Sequence, residues 1–227
     1  DDADDPRLES YRAVRERDLA GREGVFVAEG RVVLEKAIAT DPDSLVSVLV
    51  AAHRVESLGD MLAGLPAGTP VYAAAQAAMD QGVGFPIHRG ILAVGRRRVR
   101  DPGALIAALP PRALVVGLVG IANHDNMGGI FRNSAAFGVD AVLLDDSCCD
   151  PLYRKAIRVS VGAALTVPFA RAGDAAGLVG ALSAAGFELA ALSPGGETDL
   201  DDLDLGPRAA VLFGAEGPGL PAAVLRR

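Results

Sequence analysis

The segment Asn123–Gly138, which reads NHDNMGGIFRNSAAFG, concentrates groups that can bind a ligand at the predicted start of a helix. Gly128 and Gly129 each destabilise a helix by roughly 1 kcal/mol relative to alanine, so their presence favours a compensating role. Residues without side chains at a helix start let another group approach the backbone N–H donors closely. Arg132 lies outside the predicted apolar side of the helix, so its side chain can point into a crevice.

The same segment also has the features of an ordinary capped helix. Asn123, Asp125 or Asn126 can cap its first turn. The expected buried stripe follows helical spacing and comprises Met127, Ile130, Phe131 and Ala135. A capped helix with a solvated arginine is therefore the alternative to a ligand site.

A second candidate is the loop Phe213–Pro221, which follows the apolar run Ala209–Phe213. Its three glycines and two prolines hold the backbone in a fixed path, so its peptide groups can recognise a planar ligand. A surface turn explains the glycines but explains Glu216 less well. A weaker candidate is Ser193–Gly206, which also fits an acidic surface loop, although Ser193–Gly196 follows a strand and can line a pocket.

An α/β fold is predicted to position these loops. In the second half of the chain, near-continuous apolar strands alternate with helices, which is typical of a mainly parallel sheet covered on both faces. Ligands bind such sheets beyond the carboxyl ends of the strands, so loops 121–129, 193–206 and 214–221 should converge there. The predicted strands are Leu114–Val119, Ala141–Leu144, Leu165–Pro168, Phe187–Leu192 and Ala209–Phe213, with a helix at Asp174–Ala185.

The first half predicts a small α/β/α layer of about the minimum size for a domain. Prolines and charges across Arg96–Pro111 predict a stiff connection. We therefore predict domains at residues 1–98 and 113–227, joined by a linker at 99–112. The expected helices of the first domain are Pro6–Ala20, Glu29–Thr40, Val55–Ala63 and Ala74–Asp80, and its strands are Gly24–Ala28, Leu45–Val50, Pro70–Ala73 and Gly90–Val94.

Composition narrows the class of protein. Of 227 residues, 50% are hydrophobic and 22% are charged, which is typical of a globular chain. No apolar run is long enough to span a membrane, no secretory signal is visible, and the missing initiator Met indicates a trimmed start. Cys148 and Cys149 are neighbours and rarely bridge each other, so we expect a reducing, cytoplasmic location.

Several chemistries are disfavoured by spacing. The run Gly117–Gly120 lacks the third glycine of a dinucleotide fingerprint, and no P-loop occurs. The histidines His53, His88 and His124 lie far apart in the sequence, so we expect no metal site. A Cys–His nucleophile pair stays open, although neither cysteine lies in a glycine-rich elbow.

The segments 126–135 (NMGGIFRNSA) and 213–220 (FGAEGPGL) resemble motifs one and two of the SpoU/TrmH RNA 2′-O-ribose methyltransferases, which belong to the SPOUT superfamily. The intervening segment 154–163 (RKAIRVSVGA), followed by Val167-Pro168, is also similar to that family. More loosely, FVAEG at 26–30 and HRGILA at 88–93 resemble its N-terminal L30e-like substrate-binding domain. The resemblance covers most of the chain.

This resemblance implies a deep trefoil knot in the second domain and a homodimer with sites at its interface. It implies S-adenosylmethionine as cofactor and a ribose 2′-hydroxyl of rRNA or tRNA as the methyl acceptor. Asn126 and Arg132 match the catalytic Asn and Arg of the family, and Glu216 matches the acid of motif two. The expected cofactor pocket comprises Leu192, Ser193, Phe213, Gly214, Ala215, Gly217 and Leu220.

Arg132 has two possible roles in such a reaction. It can polarise the hydroxyl or hold the adjacent phosphate, or it can act as the base, for which it would have to give up its proton. The expected RNA contacts are arginines of the first domain, each of which also fits a solvated surface charge: Arg12, Arg15, Arg22, Arg31, Arg96, Arg97 and Arg98.

The sequence departs from the family in one respect. The third motif, a Ser-Leu-Asn-Val type of segment before a final helix, does not appear before Arg227. We therefore expect a truncated sequence. The alternatives are a non-catalytic RNA-binding protein on a degenerate SPOUT scaffold and an unrelated α/β nucleotide-binding enzyme.

Overall fold

Two compact units make up the computed structural model, which describes residues 5–12, 24–84 and 86–226. The first unit comprises Asp1–Arg98 and Asp150–Thr166, and the second comprises Val99–Cys149 and Val167–Arg227. Within the described ranges, no helix combines the length and the apolar character that crossing a membrane requires. Those ranges also contain no group of three or more His, Cys, Asp or Glu residues that could hold a metal.

The first unit is built on a mixed four-stranded sheet. Its strands β1 to β4 lie in the order β1-β4-β2-β3 and span Val25–Glu29, Leu45–Ala51, Val71–Ala74 and Ile91–Arg96. Strand β4 runs antiparallel to both β1 and β2, while β2 and β3 are parallel. The carboxyl ends of β1 and β2 and the start of β4 therefore lie at the same end of the sheet.

Helices of this unit cover the sheet with their apolar sides. They are α1, α2 and α3, at Arg31–Thr40, Gly59–Ala63 and Gln76–Val83. Val33 and Leu34 of α1 are buried, as are Met79 and Val83 of α3. The core also contains Tyr11, whose hydroxyl lies 2.7 Å from Ser47 Oγ, so its one polar atom is satisfied.

The segment Asp150–Thr166 lies within the predicted second domain, 113–227, but groups with the first unit. It forms two short helices, α6 at Arg154–Val159 and α7 at Ala163–Thr166. Helix α6 packs on β1, and α7 packs on α1. The reason is partly electrostatic, because Arg154 pairs with the buried Glu29, a contact that residue spacing does not reveal.

The second unit has a fully parallel five-stranded sheet. Its strands β5 to β9 span Ala113–Leu118, Ala141–Leu144, Phe169–Arg171, Glu188–Ala191 and Arg208–Phe213, and they lie in the order β7-β6-β5-β9-β8. The central strand β5 is almost entirely buried, as its unbroken apolar sequence predicts. The helices are α4 at Pro102–Ala107, α5 at His124–Ala136, α8 at Ala175–Ala184 and α9 at Ala222–Leu225.

Three predictions of local structure were wrong. Residues Ala163–Thr166 are helical and the strand begins at Phe169, because a short apolar run does not distinguish a strand from a buried helix. The predicted helix Val55–Ala63 consists of 3-10 turns followed by α2. The predicted helix Pro6–Ala20 begins as the 3-10 helix Pro6–Tyr11 and is extended at Arg12; its remainder lies outside the described residues.

Candidate functional site

The loop between β5 and α5 places the first candidate segment at the carboxyl edge of the second sheet. Asn123 caps α5, since its Oδ1 accepts hydrogen bonds from the backbone N–H groups of Asp125 and Asn126, at 2.7 and 3.4 Å. The buried side of the helix consists of Met127, Gly128, Phe131 and Ser134. Ile130 is only half-buried and Ala135 is exposed, so the predicted stripe was partly wrong.

The loop after β9 is folded tightly back on itself. Ala215 and Gly219 form an isolated antiparallel bridge, with the N–H of Gly219 donating to the carbonyl of Ala215 at 2.9 Å. Gly217 and Gly219 have φ angles of 88° and 70°, in the region that favours glycine. A Cβ on Gly214 would lie 2.1 Å from the carbonyl carbon of Gly219. The close approach of these two backbone segments therefore requires glycine at 214.

The two candidate loops meet at their polar side chains. Asn126 Nδ2 donates to Glu216 Oε2 at 3.0 Å, joining residues that are 90 positions apart in the sequence. The loops are also joined through the backbone, because the N–H of Val119 donates to the carbonyl of Phe213 at 2.9 Å. The side-chain nitrogen of Asn126 is thus engaged, and its side-chain oxygen accepts no hydrogen bond within the described ranges.

Arg132 lies on a different face of α5 from Asn126. Six residues separate them, which corresponds to about 120° around the helix axis. Its side chain is exposed, and it makes no hydrogen bond or ion pair with any residue in the described ranges. The structure therefore brings Asn126 to Glu216 and leaves the guanidinium group of Arg132 available to a ligand.

The predicted cofactor residues lie along two adjacent strand ends. The N–H of Leu192 donates to the carbonyl of Leu212 at 3.0 Å, so Leu192 and Ser193 lie beside Phe213 and Gly214. The apolar side chains of Leu192 and Phe213 are half-buried and Leu220 is buried. Binding an adenosine requires apolar side chains against the base and peptide groups for its polar edge. These residues supply both, so they fit the adenosine part of S-adenosylmethionine.

A buried carboxylate supports the turn that leads into α5, and sequence reasoning missed it. Asp145, only 5% exposed, follows β6. It accepts hydrogen bonds from the N–H of Gly120 at 3.1 Å and the N–H of Cys148 at 3.0 Å. Ser147 Oγ lies 2.8 and 2.7 Å from its two carboxylate oxygens. An aspartate directly after a buried strand at the crevice edge was the available signal.

The cysteine beside this carboxylate is held as a structural thiol. Cys148 Sγ donates to the carbonyl of Leu118 and accepts from the N–H of Ile121. Burial raises the pKa of the Cys148 thiol to about 12, so the thiol is protonated at neutral pH. Because the nucleophile in cysteine chemistry is the thiolate, Cys148 does not fit the nucleophile of a Cys–His pair.

Most of the arginines expected to bind RNA are engaged within the first unit. Arg12 pairs with Glu9, Arg31 with Glu35, Arg97 with Asp150 and Arg98 with Asp41. Arg97 is also largely buried, with 15% of its side chain exposed. Arg96 is exposed at the far end of β4, and Arg15 and Arg22 lie outside the described residues.

Comparison with known proteins identifies relatives over nearly the whole chain. An uncharacterised tRNA/rRNA methyltransferase of Mycobacterium bovis is 40% identical over 233 aligned positions, covering 99% of this chain and 79% of the relative. A tRNA/rRNA methyltransferase of Mycobacterium tuberculosis matches to the same extent. A tRNA/rRNA methyltransferase of Mycobacterium marinum is 31% identical, and the match covers 95% of this chain and 71% of that relative.

Solved structures with this fold include RNA methyltransferases. An AdoMet-bound rRNA methyltransferase of Sinorhizobium meliloti superposes with a TM-score of 0.80 at 20% identity, covering 98% of this chain and 83% of that one. An RNA 2′-O ribose methyltransferase gives a TM-score of 0.78 at 22% identity, covering 99% and 84%. The SpoU rRNA Methylase family model matches residues 113–227. Together with the sequence relatives, this match shows that the chain belongs to the SpoU rRNA methylase family.

Proposed function

We propose that this protein is an S-adenosylmethionine-dependent RNA methyltransferase that methylates a ribose 2′-hydroxyl of rRNA or tRNA. The observation that carries the proposal is the hydrogen bond between Asn126 and Glu216, which joins the two family motifs at one site. The names of its relatives support an RNA substrate. A solved structure with this fold is an RNA 2′-O ribose methyltransferase, which supports the ribose oxygen as acceptor.

The cofactor would lie along the ends of β8 and β9. Leu192, Phe213 and Leu220 would contact the faces of the adenine, and the peptide groups of Gly214–Gly217 its polar edge. Bound S-adenosylmethionine supplies a methyl group on a positively charged sulfur, which is already activated toward an oxygen nucleophile. Two structures with this fold were solved with AdoMet bound, which supports this assignment.

The residues of this chain would then orient the hydroxyl, whose proton would leave to solvent, assisted by the adjacent RNA phosphate, as the oxygen takes the methyl group from sulfur. Glu216 fixes the Asn126 amide, so that the amide oxygen can accept a hydrogen bond from the substrate. A guanidinium group has only N–H donors, and Arg132 therefore suits an acceptor, either the ribose oxygen or the adjacent phosphate. Holding both reacting atoms in line supplies much of the rate enhancement in transfer reactions of this kind.

Two architectural features belong to the same proposal. We infer that the second unit carries the trefoil knot of its family and that two copies associate, with sites at their interface. The ring of Phe137, at the end of α5, is 79% exposed, and large exposed apolar side chains favour burial against a partner. Sedimentation of the purified protein would test the dimer, since a monomer at all micromolar concentrations would contradict it.

Methyl transfer to RNA is the direct test of the proposal. The protein would be incubated with methyl-labelled S-adenosylmethionine and deproteinised bacterial rRNA or tRNA, and digested nucleosides would be analysed by mass spectrometry. We expect label in a 2′-O-methylnucleoside, whose 3′ phosphodiester also resists alkaline cleavage. Label found only in bases would contradict the ribose 2′-hydroxyl as methyl acceptor. Binding of RNA without binding of S-adenosylmethionine would contradict the proposed enzymatic activity.

A further inference from the structure

Four exposed arginines of the first unit make no ion pair with any acidic residue that the structure describes: Arg54, Arg89, Arg96 and Arg158. Arg54 and Arg89 are the two that flank the same end of the sheet. Arg54 and Arg89 are exposed, and neither side chain makes an ion pair or hydrogen bond within the described ranges. They differ in this from Arg31, Arg97 and Arg98, which have acidic partners. A fully available guanidinium group is the better phosphate ligand, because it has no ion pair to break.

The strand arrangement brings these two arginines to one end of the sheet. Arg54 follows β2 and Arg89 precedes β4, while Gly30 follows β1. Backbone hydrogen bonds fix the three segments side by side: Gly30 N–H donates to Ile91 at 3.1 Å, and Ala51 N–H donates to Gly90 at 2.9 Å. The two charged groups thus belong to one surface and not to separate loops.

Both side chains lie across glycines, which positions their charged ends. A Cβ on Gly30 would lie 2.6 Å from Cδ of Arg89, and a Cβ on Gly90 would lie 3.1 Å from Cγ of Arg54. Both glycines have positive φ angles, 93° and 63°. The lack of a side chain therefore lets each arginine stem pack directly against the backbone, which limits how far its guanidinium can move.

Nearby acidic residues do not cancel this charge. Glu29, the residue before Gly30, is buried and pairs with Arg154. Glu35 on α1 is bonded to Arg31. Glu56 and Asp60 are also exposed after Arg54, and Asp60 interacts electrostatically with Arg31, but neither acid pairs with Arg54 or Arg89 within the described ranges. The two guanidinium groups therefore stay available, with the exposed rings of His53 and His88 beside them in the sequence.

We propose that Arg54 and Arg89, seated on Gly90 and Gly30, form a phosphate-binding site for the RNA substrate. This inference rests on the proposed function for the identity of the polyanion. The phosphate contact is thereby assigned to Arg54 and Arg89 and not to Arg97 and Arg98, which already pair with carboxylates. Contacts of this kind position the RNA backbone without reading its sequence, so any structured RNA should reveal the site.

The test uses the whole protein and fluorescein-labelled total bacterial tRNA as the probe. The variant Arg54→Gln/Arg89→Gln removes both charges, and Arg7→Gln/Arg98→Gln is the matched control, since those arginines are also exposed in the first unit but have carboxylate partners. We expect the site variant to weaken binding about tenfold or more. The slope of log affinity against log salt should fall by about 0.7 to 0.9 per lost contact. Binding by the control should stay within about twofold of wild type.

Three outcomes would overturn the site: equal weakening in the two variants, no weakening in the site variant, and no binding of tRNA by the wild-type protein. Thermal melting of each variant would confirm that the fold persists. Gly30→Ala, which keeps both charges but displaces Arg89, should weaken binding as well. A protein that shows this arginine dependence yet transfers no methyl group would contradict the proposed function and leave the phosphate site standing.

Discussion

Arg132 is the residue on which the proposed chemistry depends most. It is exposed on α5 and has no partner within the described ranges, which suits a group that contacts substrate. We expect Arg132→Ala to lower kcat for methyl transfer by about 100-fold or more, the scale of losing one oriented donor. Arg132→Lys should recover only part of the rate, because an ammonium lacks the planar fork of donors.

The control for this residue is its exposed neighbour. Asn133→Ala changes the same helix turn without removing the guanidinium group, so turnover near wild type is expected. Calorimetric titration with S-adenosylmethionine should give similar affinities for the wild type and the Arg132 variants. An Arg132→Ala enzyme with wild-type kcat would remove Arg132 from the mechanism.

The Asn126–Glu216 hydrogen bond makes its own prediction. Asn126→Asp places two carboxylates at the 3.0 Å contact, and their repulsion should separate the loops and lower activity. Adding Glu216→Gln restores the hydrogen bond with the roles exchanged, because the amide of residue 216 then donates to the carboxylate of residue 126. We expect the double variant to recover much of the activity lost by Asn126→Asp, with a coupling free energy of about 1 kcal/mol or more. Additive losses would show that the two residues act separately.

At the scale of elements, the loop after β9 depends on one glycine. Gly214→Ala would drive a methyl group into the backbone of Gly219 and Leu220, so the loop must open. We expect calorimetry to show at least a tenfold loss of S-adenosylmethionine affinity. Gly195→Ala is the matched control in the neighbouring loop, because no atom lies within 4 Å of the added methyl position, and it should bind like wild type.

The turn before α5 depends on Asp145 in a comparable way. Asp145→Ala removes the one oxygen, Oδ1, that accepts hydrogen bonds from the backbone N–H groups of both Gly120 and Cys148. Leaving buried donors without acceptors should cost about 2–3 kcal/mol, which lowers Tm by about 5–10 °C in a chain of this size. The exposed neighbour Asp146 provides the control, and Asp146→Ala should melt within about 1 °C of wild type.

At the scale of the whole molecule, each unit contains a buried weak acid. Burial raises the pKa of the Tyr11 hydroxyl in the first unit, and it raises that of the Cys148 thiol from 9.0 to about 12 in the second. Folding therefore favours the protonated thiol. Its contribution to stability is complete below pH 9, where the unfolded thiol is also protonated, and declines as pH rises from 9 to about 12.

We accordingly expect the free energy of unfolding, measured by denaturant titration, to fall as pH rises above about 9. Cys148→Ala should make this decline shallower, because it removes one group that ionises only on unfolding. Tyr11→Phe should have the same effect at higher pH. A decline of the same steepness in both variants would indicate that other groups govern the alkaline limit.

Much of the fold and the site follows from local patterns in the sequence. The unbroken apolar run at 113–118 predicts a buried parallel strand because both of its faces are covered. The glycines and prolines of Phe213–Pro221 predict a fixed loop because few other residues adopt its backbone angles. The order of the two motifs predicts one site, since carboxyl ends of parallel strands share an edge. These features depend on near neighbours, which the sequence records directly.

Contacts between distant residues required the tertiary structure. Only the folded chain shows that Asn126 bonds to Glu216, that Asp145 supports Gly120, and that Arg154 pairs with Glu29. The same holds for charge: the arginine run at 96–98 is conspicuous in the sequence, yet Arg97 and Arg98 have acidic partners, while Arg54 and Arg89 have none among the residues that the structure describes. Residue types specify what each group can do, whereas pairing and burial arise from three-dimensional packing, and they decide which groups are left to act.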